Sequence, residues 1–388
     1  MTARDCMHAH LKPEPPISRF LFTSLTLQQE ELQNERALRI VDSRMEGTDG
    51  ATARGKVVVV MGATATGKSK LAVDLALLFG GEVVNSDKIQ VHDGLDVVTN
   101  KVTPKERRGV PHHLIGGVRP DADYTIADFR RDVTRAVETV LARGRVPVIA
   151  GGSNRYLEAL LDGESGFRQR YECCFLWLDA DLPVLHRYIR DRVDCMLEQG
   201  LVDEVRGFFR PDADYSRGIL RAIGVPEMDT YLRLEGAGAL DGDGANELRQ
   251  RLLAAAVDEI KANTCRLACR QLRKIHCLCR LPGWKIHRLD ATKVLALRIS
   301  RANNPDAERA SWETDIAEPA ANVVATILGA KAAHGGKDDD KSRLVMAAAK
   351  EETMAGSGTA AEWCGMQLEK AVVAPGRGFV GMEAATVV

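Results

Sequence analysis

The segment that most constrains this chain joins an apolar run to an amphipathic run through a glycine loop. The run 57–61 is dominated by valine and is typical of a short buried strand. After the loop, leucines follow at helical spacing, at Leu71, Leu75 and Leu78. The loop itself reads Gly62, Ala63, Thr64, Ala65, Thr66, Gly67, Lys68 and Ser69. The spacing G-x-x-x-x-G-K-S/T places backbone N–H groups around a polyphosphate at the start of a helix. The segment therefore predicts a strand, a phosphate-binding loop and a helix.

Two side chains at the end of this loop have distinct expected roles. Lys68 can reach the outer phosphates of a bound ligand, and Ser69 can ligate a magnesium ion. We therefore expect the chain to bind a diphosphate or a triphosphate together with Mg²⁺. The reaction that follows depends on residues outside the loop.

Composition excludes several classes of function. The chain has 388 residues, enough for two domains or for one large domain with appendages, and 45% of them are hydrophobic. It carries 53 basic and 54 acidic residues, so its net charge of -1 gives no overall attraction to nucleic acid. No apolar run reaches membrane-spanning length. The nine cysteines lack the spacing of a secreted disulfide scaffold, which favours free thiols in a reducing compartment. We therefore expect neither nucleic acid nor a membrane as a partner.

The chain divides into three zones by composition. Residues 1–54 are polar and predict a flexible N-terminal arm, which a transit peptide and a plain extension explain about equally well. Residues 55–330 alternate strand-like and helical runs, the pattern of an α/β fold. Residues 331–388 are rich in Ala, Gly and Lys and predict a low-complexity, disordered tail. The middle zone is expected to form a P-loop NTPase-like parallel sheet flanked by helices, with a smaller helical part in its C-terminal half.

A second strand pattern leads to a carboxylate. The run 82–84 is followed by Asn85, Ser86 and Asp87. In an open parallel sheet, ligands bind at the carboxyl ends of the strands, so Asp87 is expected to face the same crevice as the phosphate loop. There it could ligate a metal, or it could accept a proton from an incoming nucleophile. The competing interpretation is a helix N-cap, a common place for Asp between a strand and a helix.

Further blocks of sequence, taken with the phosphate loop, resemble the isopentenyltransferase family. They occur in order over residues 56–330, at 85–90, 94–96, 98–103, 111–114, 128–129, 150–154, 192–205, 221–227 and 263–271. The resemblance implies transfer of a dimethylallyl group from dimethylallyl diphosphate to N6 of an adenine. One branch of the family acts on an adenosine in tRNA. The other acts on free adenine nucleotides, the first committed step of cytokinin synthesis in plants.

Several positions favour the branch that acts on free nucleotides. Lys88 stands where tRNA enzymes usually carry Ser or Arg, and Cys265 and Cys269 stand where they carry Arg and Lys. Two cations that would meet RNA phosphates are thus missing. After residue 300 the chain has one cysteine, Cys364, and one histidine, His334, so the Cys₂His₂ finger found in many eukaryotic tRNA enzymes cannot form. The expected substrates are dimethylallyl diphosphate and ATP, ADP or AMP. A tRNA dimethylallyltransferase is the closer alternative, and a P-loop small-molecule kinase is the more distant one.

The resemblance also implies roles for individual residues. Asp87 would accept a proton from N6, while Lys68, the loop amides and a magnesium ion near Ser69 would hold the diphosphate. Thr64 matches a family threonine that contacts the bridging oxygen of the donor. Arg221 matches an arginine near the diphosphate, with a structural ion pair on a helix as its alternative. The substrate channel would be lined by Gly151, Gly152 and Ser153. Candidate cations for the nucleotide phosphates are Arg155, Arg270 and Lys274.

Other suggestive residues are better interpreted as structural. Asp179 ends a strand that resembles a Walker-B segment, but the strand fits the family as a structural element. His112 and His113 fall in a block that packing explains, and His92 stands where the family usually has Tyr and receives no catalytic role. The cysteines between 265 and 279 lack the spacing of a zinc site. The expected compartment is the plastid, with the cytosol or the mitochondrion as alternatives, and the expected state is a monomer.

Overall fold

The structure is a computed structural model, and it describes residues 54–163, 166–242, 244–300 and 304–329. The predicted tail 331–388 and all of the predicted arm except Arg54 lie outside the described residues.

A six-stranded sheet forms the centre of the described chain. Its strands are β1 (Gly55–Gly62), β2 (Gly81–Asn85), β3 (His112–His113), β4 (Val146–Ala150), β5 (Tyr171–Asp179) and β6 (Ile286–Asp290). Their order across the sheet is β3-β2-β4-β1-β5-β6, and every neighbouring pair is parallel. The predicted parallel α/β sheet is therefore confirmed. Because β1 and β2 both pair with β4, their carboxyl ends lie on one edge, where open sheets of this kind bind ligands.

Helices connect the strands and cover both faces of the sheet. They are α1 (Lys68–Phe79), α2 (Pro104–Arg107), α3 (Ile126–Ala142), α4 (Asn154–Leu161), α5 (Phe167–Arg170), α6 (Leu182–Glu198), α7 (Leu201–Phe208), α8 (Asp229–Gly236), α9 (Ala245–Leu278), α10 (Thr292–Ile299), α11 (Pro305–Trp312) and α12 (Glu318–Leu328). Two 3₁₀ turns, Gly218–Arg221 and Pro226–Met228, lie before α8, and a π-helical segment, Glu313–Ala317, joins α11 to α12. No described helix is both long and apolar enough to cross a membrane.

The alternation of side chains along β1 separates two cores. Val58 and Val60 are buried with residues of α1, α6 and α10 to α12 on one face of the sheet. Val57 and Val59 are buried on the other face with residues of α3, α4 and the end of α9. Successive strand residues point to opposite faces, so a strand covered on both sides is apolar throughout. This explains why the run of valines in β1 shows no alternation of polarity.

A third core belongs to the helical part predicted for the C-terminal half. It is formed by the two 3₁₀ turns, α7, α8 and the first half of α9. The 34-residue α9 connects this part with the sheet, because Ile260 lies in the helical core, Ala268 in one sheet core and Ile275 in the other. One long helix therefore fixes the helical part against the edge of the sheet that carries the phosphate loop.

Candidate functional site

The loop between β1 and α1 has the tightly curved backbone that its glycines predict. Gly67 has φ +95°, a conformation that favours glycine, and it directly precedes α1. A Cβ at Gly62 would lie 2.6 Å from the backbone oxygen of Leu178, and one at Gly67 would lie 2.9 Å from the ring of Trp312. Both glycines are therefore required by close packing as well as by backbone conformation.

Trp312, at the end of α11, contacts both the phosphate loop and α1. Its ring packs on Gly67, its Nε1 donates to Asp74 Oδ2 at 2.9 Å, and Lys70 Nζ lies 4.3 Å from the ring centroid. The end of α11 is thereby fixed on α1. No motif in the sequence indicated this contact.

Lys68 lies at the start of α1 and bends back over the loop. Its Nζ donates to the backbone oxygen of Ala63 at 2.6 Å. Burial lowers the pKa of Lys68 to about 8, while the nearby charge of Asp87 raises it and that of Arg192 lowers it. Ser69 follows at the exposed side of the first helical turn. Lys68 therefore contacts the phosphate loop and lies within the electrostatic influence of Asp87.

Arg192 is a functional candidate that the sequence reasoning did not single out. It lies on α6, and its Nη2 donates to Thr64 Oγ1 at 2.8 Å. Its Nε is buried without a hydrogen-bond partner, and no carboxylate in the described ranges pairs with its guanidinium. Burial lowers the pKa of Arg192. A buried arginine without a counterion beside a phosphate loop is suited to bind an anion. Its place in a family block was the sole signal in the sequence.

Gln271 connects the phosphate loop with the loop that follows β4. Its Oε1 accepts from the backbone N–H of Thr64 at 2.7 Å, and its Nε2 donates to the backbone oxygen of Gly152 at 3.0 Å. A Cβ at Gly152 would collide with this amide. Asn154 Nδ2 adds a bond of 3.3 Å to the backbone oxygen of Gln271. The predicted residues Thr64 and Gly152 are therefore brought together by a side chain of α9.

Asp87 follows β2 in a turn that fixes one of its carboxylate oxygens. The backbone N–H of Asp87 donates to Asn85 Oδ1 at 3.0 Å, and Asn85 Nδ2 donates to the backbone oxygen of Leu114 at 2.8 Å. Asp87 Oδ1 accepts from the backbone N–H of Ile89 at 2.9 Å. Asp87 Oδ2 faces Gly152, 3.6 Å from where a Cβ would stand. No α-helix begins at Asp87, so the competing N-cap interpretation is wrong, and an Asx turn takes its place.

The ends of β2 and β4 are joined beside this carboxylate. Ser153 Oγ accepts from the backbone N–H of Lys88 at 3.0 Å, and the backbone N–H of Ser153 donates to the backbone oxygen of Ser86 at 3.2 Å. A Cβ at Gly151 would collide with the backbone of Ser86. The three predicted channel residues therefore lie next to Asp87.

A second group of cations lies near Asp87 and contains Lys88, Arg155 and Arg221. Lys88 Nζ is 5.8 Å from the ring centroid of Tyr156. Burial lowers the pKa of Lys88, and the charges of Arg221 and Arg155 lower it further, whereas Asp87 raises it. Arg221 Nε is buried without a partner, and none of these three cations forms an ion pair with a carboxylate of the described chain. Arg221 ends a 3₁₀ turn and pairs with no carboxylate among the residues that the structure describes, so the interpretation as a helical ion pair does not describe it.

The other two candidate cations lie elsewhere. Lys274 Nζ pairs with Glu158 Oε2 at 2.5 Å on the outer side of α4. Arg270 is exposed in a separate cavity with His186 and Cys269. Of the three candidates for the nucleotide phosphates, Arg155 alone lies beside Lys88.

The residues interpreted as structural have structural partners. Asp179 Oδ2 accepts from Arg288 Nε at 2.7 Å on the neighbouring strand. His113 Nε2 lies 2.6 Å from a carboxylate oxygen of the buried Glu82. His92 is fully buried, and its Nδ1 lies 3.0 Å from the backbone oxygen of Arg119. Burial lowers the pKa of His92, which favours a neutral imidazole in this packing role.

Comparison with known proteins gives consistent results. The family model described as IPP transferase matches residues 90–169 and 163–275. "Adenylate isopentenyltransferase 5, chloroplastic" of Arabidopsis thaliana is 53% identical over 277 residues, which cover 71% of this chain and 81% of that protein. "Adenylate isopentenyltransferase 7, mitochondrial" of the same plant is 48% identical over 271 residues, covering 69% and 79%. The "tRNA dimethylallyltransferase 2" of Arabidopsis thaliana is 31% identical over 384 residues, which cover 71% of this chain and 80% of that protein.

A solved structure supports the fold. A eukaryotic dimethylallyltransferase acting on tRNA superposes with a TM-score of 0.57 at 22% identity, over 74% of this chain and 83% of that one. At this identity the likeness concerns the architecture of the sheet and its helices. With 53% identity to a relative of which 81% is covered, and with a match to the family model over residues 90–169 and 163–275, the chain belongs to the isopentenyltransferase family.

Proposed function

We propose that this chain is an adenylate isopentenyltransferase, which moves a dimethylallyl group from dimethylallyl diphosphate to N6 of ATP, ADP or AMP and releases diphosphate. One observation carries the proposal: the charge of a single carboxylate, Asp87, acts on both Lys68 and Lys88, and each of these lysines belongs to a group of cations without carboxylate partners within the described residues. Lys68 and Arg192, with Thr64 and Gln271, form the donor side. Lys88, Arg155 and Arg221 form the acceptor side.

The donor side suits a leaving group on which negative charge develops. When the bond between the allylic carbon and the diphosphate oxygen breaks, charge builds on the diphosphate. Fixed donors that meet this charge stabilise the transition state more than the ground state. We propose that Lys68, the loop amides and Arg192 act in this way. Thr64, held by Arg192 and Gln271, would contact the bridging oxygen.

The residues present also fit a magnesium ion bound with the donor. Ser69 has no hydrogen-bond partner among the described side chains and lies in the first turn of α1, whereas Asp179 is held by Arg288. Magnesium usually keeps several waters and binds through few protein oxygens plus substrate phosphates. We therefore propose that Ser69 would contribute the protein oxygen, and that the bound ion would add positive charge at the diphosphate.

We propose that Asp87 acts on the nucleophile. The exocyclic amine of adenine is weakly nucleophilic because its lone pair is delocalised into the ring. A carboxylate that accepts a hydrogen bond from N6 strengthens the nucleophile and takes its proton as the N6–C bond forms. The Asx turn holds Oδ1 of Asp87, which leaves Oδ2 facing the crevice for this role.

The acceptor side supplies positive charge for the nucleotide phosphates. Burial and the charges of Arg221 and Arg155 lower the pKa of Lys88, and an anion bound beside these cations would offset their repulsion. The relatives named for adenylate are more similar to this chain than the tRNA enzyme, at 53% and 48% against 31% identity, which favours a free nucleotide. We further propose a monomer in the plastid, as one relative is named chloroplastic, with the mitochondrion as the alternative.

A product assay tests this function. Purified protein is incubated with Mg²⁺, labelled dimethylallyl diphosphate and either ATP, ADP, AMP or tRNA, with Asp87→Asn as the inactive control. We expect labelled N6-dimethylallyl nucleotide and one diphosphate for each product. Label found in tRNA alone would identify a tRNA enzyme. Consumption of ATP without the prenyl donor would identify a kinase.

A further inference from the structure

A second site lies outside the crevice, between α6 and α9. It is a surface cavity of about 300 Å³ lined by His186, Cys265, Arg266, Cys269, Arg270 and Arg273. Across the described residues, none of these side chains hydrogen-bonds to the phosphate loop or to Asp87. The proposed transfer reaction therefore gives no reason for two thiols, an imidazole and three guanidinium groups to line one cavity.

One thiol in this cavity is paired with a base. Cys269 Sγ lies 3.5 Å from His186 Nε2. An imidazole at this distance can take the proton of a thiol as the sulfur attacks. Cys265 differs, because its Sγ lies 3.9 Å from the backbone oxygen of His186 and burial raises the pKa of its thiol. Cys269 is therefore the nucleophile of the pair.

The rest of the lining selects an anionic reactant. Arg270 and Arg273 are exposed and form no ion pair with any carboxylate in the part of the chain described, and Arg266 is bound only to the neutral Asn263. No acidic residue lines the cavity. Guanidinium groups bind carboxylates in a planar, two-pronged geometry. A small disulfide that carries several carboxylates would therefore be concentrated beside Cys269.

We propose that Cys269 is a modification site, at which its thiol exchanges with a small anionic disulfide of the glutathione disulfide type. His186 Nε2 takes the thiol proton, and Cys269 Sγ attacks one sulfur of the disulfide. The bond between the two glutathione sulfurs breaks as the new bond to Cys269 forms. The departing glutathione thiolate recovers the proton from His186. Cys269 is thus oxidised to a mixed disulfide, and one glutathione is released in reduced form.

The test follows the site of modification by peptide mass and does not depend on catalysis. The full chain is incubated with glutathione disulfide, remaining thiols are blocked, and the protein is cut with trypsin without reductant. Trypsin separates the thiols into the fragments 262–266, 267–270 and 275–280, which carry Cys265, Cys269 and the exposed pair Cys277 and Cys279. We expect the glutathione mass on 267–270 first, at least about tenfold faster than on 275–280, and its loss with dithiothreitol.

Two variants distinguish the parts of the proposal. His186→Gln, checked for folding by circular dichroism, should slow modification of Cys269 about tenfold or more by removing the base. Arg273→Gln, which leaves fragment 267–270 unchanged, should slow the reaction with glutathione disulfide but not with the uncharged 2-hydroxyethyl disulfide. Equal labelling of the exposed Cys277 and Cys279, or an unchanged rate in His186→Gln, would overturn the proposal.

Discussion

The donor side and the acceptor side of the crevice are built differently, although both carry uncompensated positive charge. On the donor side, Lys68, Arg192 and Gln271 come from α1, α6 and α9, and each makes a hydrogen bond of 2.6–2.8 Å to the phosphate loop. On the acceptor side, the charged groups of Lys88 and Arg155 make no hydrogen bond or ion pair within the described residues.

This contrast has a consequence for substrate selection. A site whose donors are already fixed by neighbouring elements favours one ligand geometry and develops its full effect in the transition state. Cations on side chains that no neighbouring group holds attract negative charge without fixing the number of phosphates. We therefore expect strict selection of the diphosphate donor and tolerance of ATP, ADP and AMP as acceptors.

The largest effect is expected where the two sides meet. Asp87→Asn keeps the shape of the side chain and the Asx turn but removes the base, so turnover should fall roughly 10²–10⁴-fold. Affinity for either substrate should change little in equilibrium binding measurements. Turnover within a few-fold of wild type would exclude the catalytic role. Recovery of the rate with added magnesium would instead assign Asp87 to the metal.

A smaller loss, confined to the donor side, is expected for Lys68→Ala. The substitution removes a fixed cation from the diphosphate, and kcat/KM for the prenyl donor should fall roughly 10²-fold. The dissociation constant for ATP, measured by calorimetry, should stay unchanged. Lys285→Ala, at an exposed lysine before β6, is the control and should behave as wild type. If Lys68→Ala weakened the binding of ATP as much as it lowered kcat/KM for the prenyl donor, the distinction between the two sides would not hold.

The pH dependence of donor binding should show whether the charge of Lys68 acts on the donor side of the crevice. The pKa of Lys68 is lowered to about 8, so its charge is present below that pH and is lost as the pH rises through it. Affinity for magnesium diphosphate should therefore weaken about tenfold between pH 7 and pH 9, measured relative to Lys68→Ala to remove the ligand's own titration. Lys68→Arg keeps its charge over this range and should not show the fall. A parallel fall in that variant would assign the titration to another group.

The smallest effect is expected on the acceptor side. Arg155→Gln removes one of three cations, so KM for ATP should rise several-fold and at most about tenfold. The change should be smaller for AMP and absent for adenosine, while KM for the prenyl donor stays constant. Arg280→Gln, at an exposed arginine after α9, is the matched control. A larger effect on the donor than on ATP would place Arg155 on the other side of Asp87.

The sequence by itself determined the local parts of this protein. The phosphate loop depends on residues within one short segment, where valines, glycines and Lys68 dictate strand, turn and helix. The position of Asp87 followed from the end of β2, and the family followed from blocks spread along the chain. The alternation of strand-like and helical runs also predicted a parallel sheet. For Asp87, however, the sequence left open a helix N-cap, where the structure has an Asx turn. Asx turns and N-caps use the same side chain–backbone bonds, so local sequence does not distinguish them.

Tertiary structure alone decided which distant side chains hold the site. Arg192 reaches Thr64 across 128 positions of the chain, and Gln271 reaches it across 207. Trp312, which packs on Gly67, lies farther along still. Each of these residues is unremarkable in its own segment, a polar or aromatic position on an amphipathic helix. Their roles arise because α6 and α11 pack on one face of the sheet and α9 contributes to the cores on both faces, which brings those positions to the loop, and such packing is set by the whole core.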